Sequence, residues 1–281
     1  ESTMQKEACL LALGKAHLTA GAVRYLFGGD LLRQGVATSM GVETLQIPMF
    51  GLYGACSTSG EALALASMCV AAGYGERMLA VTSSHFGSAE KEFRFPLGYA
   101  NQRPLSAHWT VTGSGAFIVG KSRSHVRITG VTVGKIVDYG LKDSQNMGAC
   151  MAPAACDTII QNLEDFGRKE DEYDRIITGD LGYVGQSILF DLMRGKEYDI
   201  KVNHMDCGMT IFDQNLQDTH AGGSGCGCAA ATLSAYILPK IARGEWKKVL
   251  FVPTGALMST VSYNEGASVP GIAHGIVLEH C

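Results

Sequence analysis

The sequence lacks the features that mark several specialised classes of protein. It contains no block rich in Lys or Arg, and its formal net charge is −4 with a pI near 6.1, so no nucleic-acid partner is expected. No apolar run approaches the ~20 residues that a membrane span needs, and we expect no signal peptide from this sequence. Hydrophobic residues make up 46% of the chain, so we expect a soluble globular protein with a large core.

Paired cysteine motifs are also missing. The 9 cysteines include no CxxC pair, and Cys226 and Cys228 form only a lone C-x-C. This spacing predicts no metal site and reduced thiols in a cytoplasm-like compartment. Glycine is abundant instead, with 35 residues scattered along the chain, which indicates tight turns and close backbone approaches.

An internal repeat organises the chain. A predicted helix and strand end at Gly29-Asp30 in the first half, and a similar pair ends at Gly179-Asp180 in the second. Farther along each half, a turn of small residues leads into an apolar helix, near Cys56 and near Cys226, and then into a strand. Any α/β protein shows some echoes of this kind, but here separate segments recur in the same order. The pattern therefore predicts two similar α/β halves that meet at these helices.

The boundary between the halves is predicted in the stretch MGACMAPAA, around Pro153. It gives an N-terminal half of residues 1–150 and a C-terminal half of residues 151–281. The chain begins at Glu1 inside a predicted helix and without an initiator Met, so we expect a further N-terminal segment in the full-length protein.

Cys56 lies at a sharp predicted turn from strand to helix. The segment IPMFGLYG reads as a strand, and the helix that follows has Ser57 and Ser59 in its first turn. Unpaired N–H groups and the helix dipole lower the pKa of a thiol at such a position, and they also bind carboxylates. The turn therefore supports a nucleophilic thiol or an anion-binding turn in which the thiol is incidental. A buried, inert cysteine is the third interpretation.

The strand–GACSTS–helix segment resembles the nucleophile turn of thiolases and ketoacyl synthases, and the repeat resembles their fold. The chain is most similar to one branch, the stage V sporulation protein AD family, over nearly its whole length. The motifs that carry this resemblance are GDLLRQ (29–34), FGLYGACSTSGEALALAS (50–67), TSSHFGSAEKEFRFP (82–96), TVTGSGA (110–116), MAPAACDTI (151–159), TGDLGYVG (178–185), HMDCG (204–208) and AGGSGCGC (221–228). It implies an α/β fold, a thiolase-like five-layer αβαβα sandwich made of two pseudo-symmetric halves.

The resemblance implies a dipicolinic acid-binding protein involved in uptake of dipicolinate into the developing spore. A condensing enzyme needs further groups to move protons and polarise a carbonyl. His220 stands roughly where thiolases carry the His of HPxGxSG, but the Pro is absent, and FVPTGALMST lacks the second Cys of their C-terminal turn. The catalytic set is therefore incomplete.

Two other functions stay open. One is an acyl-CoA-dependent acyltransferase or condensing enzyme with Cys56 as nucleophile and His204, His220 or His274 as its partner. Coenzyme A is expected only in that case, and no cofactor otherwise. The other is a structural subunit whose fold mediates assembly with membrane proteins.

Dipicolinic acid is a planar pyridine with two carboxylates, so its site needs donors at both ends and an apolar slot for the ring. Asp206, in HMDCG, is predicted to be buried with either a ligand or a structural hydrogen bond, and a long charged and aromatic segment containing Lys91, Arg94 and Arg103 provides donors or else a subunit contact. The predicted ligand-binding residues are Cys56, Ser57, Ser59, His85, Arg94 and Asp206.

The resemblance also implies partners and a location. Thiolase-fold proteins are usually dimers, so a homodimer is expected. In the sporulation family the protein works with spore membrane channel proteins of the same operon, which implies a cytoplasmic protein or one that is peripheral at the inner spore membrane.

Overall fold

The computed structural model describes residues 1–32, 35–93 and 103–281. Within these residues the strands β1 to β12 are, in chain order, Tyr25–Gly29, Met49–Gly51, Arg77–Ser84, Trp109–Thr110, Gly113–Gly120, Val126–Val133, Arg175–Thr178, His204–Asp206, Gly223–Ser224, Lys248–Val252, Thr254–Ala256 and Gly271–His280.

The helices α1 to α10 are, in chain order, Ser2–Lys15, Val36–Val42, Thr58–Ala71, Phe86–Phe93, Met147–Phe166, Gly182–Arg194, Cys207–Thr210, Cys226–Thr232, Leu238–Ala242 and Thr260–Asn264. A π-helical turn, Leu233–Ile237, continues α8 into α9, and short 3-10 turns lie at Ala20–Ala22, Glu43–Leu45, Ala55–Ser57 and Glu170–Glu172. Among the described helices, none combines the length and apolarity that a bilayer span requires.

Two sheets with the same internal order form the framework. The first has the order β2-β1-β3-β5, in which β1 runs parallel to β2 and β3 while β5 is antiparallel. The second contains β8-β7-β10-β12, in which β7 runs parallel to β8 and β10 while β12 is antiparallel. This identical strand order confirms the two-fold repeat that the sequence predicts.

Helices α3 and α8 lie between the sheets. Their small buried side chains, including Ala62 of α3 and Ala229 of α8, share one apolar cluster with Phe27 of the first sheet and Phe251 of the second. Helices α1 and α2 cover the outer face of the first sheet, and α5 and α6 cover the outer face of the second. The layers are therefore αβαβα, as predicted, because both faces of a mainly parallel sheet must be covered by helices.

The chain passes to the second sheet earlier than the sequence indicates. Strand β6 pairs with β12 along Val126–Val133, so it belongs to the second sheet. The predicted boundary between residues 150 and 151 falls inside α5, whose first turns are formed by the MGACMAPAA stretch with Pro153. This stretch begins the first helix of the second repeat, and β6 is an additional edge strand that precedes it.

Candidate functional site

A short turn after β2 places Cys56 at the start of the central helix α3. Ala55 has a φ of 50°, in the left-handed region that non-glycine residues rarely adopt, and it opens the 3-10 turn that contains Cys56. Ser57 Oγ donates to Gly54 O at 2.7 Å, so this hydroxyl closes the turn itself. Ser59 is 2% exposed, and its Oγ makes no hydrogen bond within the described part of the chain.

The second half contributes a chain of hydrogen bonds that ends at Cys56. Cys56 Sγ lies 3.6 Å from Ser224 Oγ, and Ser224 Oγ donates to Asp180 Oδ2 at 2.8 Å. Gly225 N donates to the same Oδ2 at 2.9 Å, and Thr254 Oγ1 donates to Oδ1 at 2.8 Å. Because the single proton of the Ser224 hydroxyl points to Asp180, the thiol of Cys56 is the donor to Ser224. The network thus joins the two halves from thiol to carboxylate.

The two halves approach closely at this point because a glycine permits it. A Cβ at Gly255 of β11 would lie 2.3 Å from Gly54 O and 3.0 Å from Ser57 N. No side chain fits in that space, so the second half packs directly on the backbone of the Cys56 turn.

A cavity of about 20 Å³ opens beside Cys56. This volume holds about one water molecule. Its polar lining residues are Cys56, Thr110 and Ser224, and the other lining residues are apolar. The apolar lining residues are Leu31, Ala55, Phe93, Met147, Ala256 and Met258. Thr110 Oγ1 donates to the buried Glu90 Oε1 at 3.1 Å, so a second cavity hydroxyl also points to a carboxylate.

Burial controls the charge of the groups at this site. It raises the pKa of the Cys56 thiol well above its usual range, and the nearby Asp180 carboxylate raises it further. Burial also raises the pKa of Asp180, against the lowering effect of the hydrogen bonds that this carboxylate accepts. Desolvation therefore raises the pKa of Cys56 by more than the N-terminus of the helix lowers it, and Cys56 is a neutral thiol.

Asp206 has a complete set of partners within the protein. Its Oδ2 accepts from Thr178 Oγ1 at 2.6 Å and from Leu181 N at 2.8 Å. Its Oδ1 accepts from Gly182 N and Met209 N, each at 3.1 Å. Burial raises its pKa to about 6, although these hydrogen bonds act in the opposite direction. These contacts give Asp206 a structural role at the starts of α6 and α7, and it does not line the cavity. Its ligand role stays a prediction.

The histidines with predicted roles lie outside the cavity lining. His204 contacts Thr178 Oγ1 at 3.1 Å and Gln186 Nε2 at 3.0 Å, and burial lowers its pKa to about 3. His220 contacts Pro104 O at 2.9 Å. Within the described residues, neither His204 nor His220 is hydrogen-bonded to Cys56, and their catalytic role stays a prediction.

The remaining predicted residues do not join this network. His85 is partly exposed, and its Nδ1 accepts from Gly87 N at 3.2 Å. His274 Nδ1 accepts from Gly134 N at 3.3 Å. Arg103 stacks on Trp109 and donates to the carbonyls of His108 and Asp218, and Arg94 lies outside the described residues.

Sequence reasoning missed the roles of Asp180, Ser224 and Thr254. The signal was present in Gly179-Asp180, the repeated Gly-Asp pair after the first strand of the second half. Polar groups that follow parallel strands collect at the carboxyl edge of the sheet, where ligands of open α/β folds bind. That rule would have placed Asp180 near the start of a central helix.

Comparisons with known proteins agree with this architecture. The family model described as Stage V sporulation protein AD matches residues 1–279. The Stage V sporulation protein AD of Bacillus subtilis (strain 168) is 42% identical over 279 residues, which are 99% of this chain and 82% of that protein.

Solved structures of condensing enzymes share the fold at low identity. A tetronic acid condensing enzyme superposes with a TM-score of 0.67 at 16% identity, covering 99% of this chain and 85% of its own. The 3-oxoacyl-(acyl-carrier-protein) synthase III of Aquifex aeolicus gives a TM-score of 0.64 at 15% identity, covering 99% and 84%. These likenesses show a thiolase-like fold. With the match of its sequence over residues 1–279, this chain belongs to the stage V sporulation protein AD family.

Proposed function

We propose that this chain binds dipicolinic acid and takes part in its uptake into the developing spore. The observation that carries the proposal is the state of Cys56, a neutral thiol that donates to Ser224 beside a small cavity and lacks a histidine partner among the described residues. Such an arrangement offers polar contacts to a ligand and no activated nucleophile. Membership of the stage V sporulation protein AD family supports a role in the spore.

The cavity has the mixed character that an aromatic dicarboxylate needs. Phe93, Met147 and Met258 supply apolar walls, and Cys56 and Ser224 supply polar groups. Dipicolinic acid is much larger than the present cavity of about 20 Å³, so binding requires these walls to move apart. Methionine side chains are flexible enough to repack around a ligand at low cost.

Calorimetric titration with dipicolinic acid tests the proposal. Wild-type protein is expected to bind saturably and to bind picolinic acid, which has one carboxylate, more weakly. Ser224→Ala removes a polar contact to the ligand and is expected to weaken binding about tenfold. Ser39→Ala, an exposed serine on α2, is the matched control and leaves binding unchanged. Absence of saturable binding to folded wild type would refute the function.

Acyl transfer with Cys56 as nucleophile is the alternative, and coenzyme A belongs only to it. The fold is shared with condensing enzymes, but the thiol interacts with Ser224 and with the buried Asp180, and the Asp180 carboxylate disfavours a thiolate by raising the pKa of Cys56. Release of free coenzyme A from acyl-CoA by wild type, lost in Cys56→Ala, would establish this alternative.

We also propose a homodimer formed through β2. This edge strand exposes all of its residues, and Phe50 is 52% exposed beside Tyr53 at 46%. An unpaired strand edge with apolar side chains is a surface that proteins normally cover. Light scattering should show a dimer for wild type and a monomer for Phe50→Lys. A monomeric wild type would rule the dimer out.

Spore membrane channel proteins of the same operon are the proposed partners, at a cytoplasmic or peripheral position on the inner spore membrane. Their support is membership of the family. Co-purification of this chain with those channel proteins from sporulating cells, and its release from membranes without detergent, would test both points.

A further inference from the structure

Two hydroxyl groups of the residues that line the cavity beside Cys56 already donate hydrogen bonds to carboxylates within the protein. Ser224 Oγ donates to Asp180 Oδ2 at 2.8 Å, and Thr110 Oγ1 donates to Glu90 Oε1 at 3.1 Å. Both carboxylates are 0% exposed. A hydroxyl has one proton and two lone pairs, so each hydroxyl in this state turns lone pairs to a ligand. An anionic ligand would therefore meet hydrogen-bond acceptors, with the buried Asp180 behind one of them.

The ionisable neighbours of Asp180 in the described part of the chain do not supply a positive charge to offset an anion. Within the described residues, the titratable groups that act on Asp180 or are acted on by it are acids and thiols. They are Cys56 from the 3-10 turn, Asp206 from β8, Cys207 from α7, and Cys226 and Cys228 from α8. A carboxylate placed next to this cluster would be repelled unless one of the buried acids were neutralised.

We infer that binding of a carboxylate ligand in this cavity is coupled to uptake of one proton by Asp180. The proton converts Asp180 from acceptor to donor toward Ser224 Oγ. Ser224 then turns its own proton from Asp180 Oδ2 to the carboxylate of the ligand. The direction of the hydrogen-bond chain reverses, no covalent bond changes, and the anion replaces the charge that Asp180 loses. This inference rests on the proposed dipicolinate function and adds its proton linkage.

The geometry favours Asp180 as the acceptor of this proton. Its Oδ1 accepts from the hydroxyl of Thr254, and its Oδ2 accepts from the hydroxyl of Ser224 and from Gly225 N. A protonated carboxyl oxygen keeps a lone pair, so Gly225 N can still donate to Oδ2 after that oxygen takes the proton. Hydroxyl groups can rotate to accept from a protonated carboxyl, whereas backbone N–H groups cannot. The buried position of Asp180 raises its pKa, which makes protonation easier. Asp206 differs, because backbone N–H groups donate to both of its oxygens.

Titration calorimetry in buffers with different ionisation enthalpies measures the coupling. Dipicolinic acid titrated into wild type at pH 7.5 in phosphate and in Tris should give enthalpies whose difference reports about one proton taken up per ligand. The dissociation constant should rise by up to about tenfold per pH unit above neutrality. In Asp180→Asn, proton uptake should fall close to zero and affinity should depend little on pH. Asp191→Asn, an exposed carboxylate on α6, should keep the wild-type uptake.

The outcomes separate this inference from the function on which it rests. Saturable binding by wild type without proton uptake overturns the inference and leaves the dipicolinate function standing. Uptake that persists in folded Asp180→Asn assigns the proton to another acid and also overturns it. Absence of binding refutes both. If Asp180→Asn does not fold, Ser224→Ala replaces it, because cutting the link between ligand and Asp180 should also reduce proton uptake.

Discussion

Asp30 and Asp180 occupy equivalent positions in the two halves but have different hydrogen-bond partners. Each follows a Gly at the end of the first strand of its half, and each is 0% exposed. Asp30 binds within its own half, where Oδ1 accepts from Leu32 N and Oδ2 accepts from Thr38 N and Thr38 Oγ1. Asp180 binds Ser224, Gly225 and Thr254 and reaches Cys56 of the opposite half through Ser224.

The difference shows how a duplicated fold can separate structure from function. In the first half the repeated carboxylate anchors the start of α2 with two backbone donors. In the second half the same position has one backbone donor, Gly225 N, and two hydroxyl partners, which can rotate and so reverse the direction of their hydrogen bonds. A repeat therefore preserves the position of a side chain in the fold. The neighbouring donors decide whether the hydrogen bonds of that side chain can reverse direction.

The largest expected effect concerns the glycines that precede these carboxylates. A Cβ at Gly29 would lie 2.4 Å from Leu52 O, and one at Gly179 would lie 2.9 Å from Pro253 Cα. We expect Gly29→Ala to lower the free energy of unfolding by about 3 kcal/mol and Gly179→Ala by about 2 kcal/mol, measured by urea unfolding. Gly14→Ala in α1, where the space is open, should instead raise it by about 0.5 to 1 kcal/mol. If the two substitutions lowered the free energy of unfolding equally, the backbone at Gly29 and at Gly179 would be packed equally tightly, which contradicts this prediction.

The carboxylates themselves provide the next test. At Asp30 both oxygens accept from backbone N–H groups, so the NH₂ of an Asn must face a donor, and Asp30→Asn should cost about 2 kcal/mol. At Asp180 the NH₂ can face Thr254 Oγ1, which can rotate to accept, so Asp180→Asn should cost less than about 1 kcal/mol. Urea unfolding of both variants measures the contrast. A larger cost at Asp180 would show that its partners are as locked as those of Asp30.

Acid sensitivity should reside in the second half. Burial lowers the folded-state pKa of His204 to about 3, from the ordinary value of 6.5. Its contribution to stability is therefore present above pH 6.5 and is lost as pH falls from 6.5 toward 3, because only the unfolded chain takes up the proton there. We expect His204 to contribute a loss of about 2 kcal/mol between pH 6.5 and pH 4, allowing for its partial exposure. Asp206 acts in the opposite direction, because its raised pKa of about 6 favours the folded state as pH falls below 6, so the His204 contribution is measured as the difference from His204→Gln.

His204→Gln should flatten this part of the pH profile in urea unfolding experiments. His125→Gln, at an exposed position, serves as the control and should keep the wild-type slope. An unchanged slope in His204→Gln would assign the acid sensitivity to other buried groups, such as His274, whose pKa burial also lowers.

The repeat could be predicted because it depends on local patterns, whereas the five layers were expected from the family resemblance. Helix and strand periodicity, with Gly-Asp after each first strand, was enough to expect two halves and a central helix at Cys56. The site itself depends on contacts between residues 44 and 168 positions apart, Asp180 with Ser224 and Cys56 with Ser224, which no local pattern contains. Likewise, the assignment of β6 to the second sheet depends on its pairing with β12, which is distant in sequence. His204 was a catalytic candidate from its sequence context alone. The sequence does not show that its ring nitrogens contact Thr178 and Gln186.

The smallest expected effect is on the two thiols that begin the central helices. Burial raises the pKa of both Cys56 and Cys226 well above the usual range, and Cys226 Sγ also donates to Ser83 O at 3.0 Å. Since only a thiolate reacts rapidly with iodoacetamide, both should be labelled at least about tenfold more slowly than the exposed Cys281. Peptide mass spectrometry over time resolves the three rates, and urea-unfolded protein should show them equal.

Asp180→Asn distinguishes the two thiols. Asp180 is the strongest charge acting on Cys56, whereas Asp30 and Glu1 precede it among the charges acting on Cys226. Removing the carboxylate should therefore speed labelling of Cys56 more than that of Cys226. Rapid labelling of Cys56 in the wild-type protein would instead mean that the helix start outweighs burial. In that case the thiol would be an activated nucleophile, and the acyl-transfer alternative would replace the binding function.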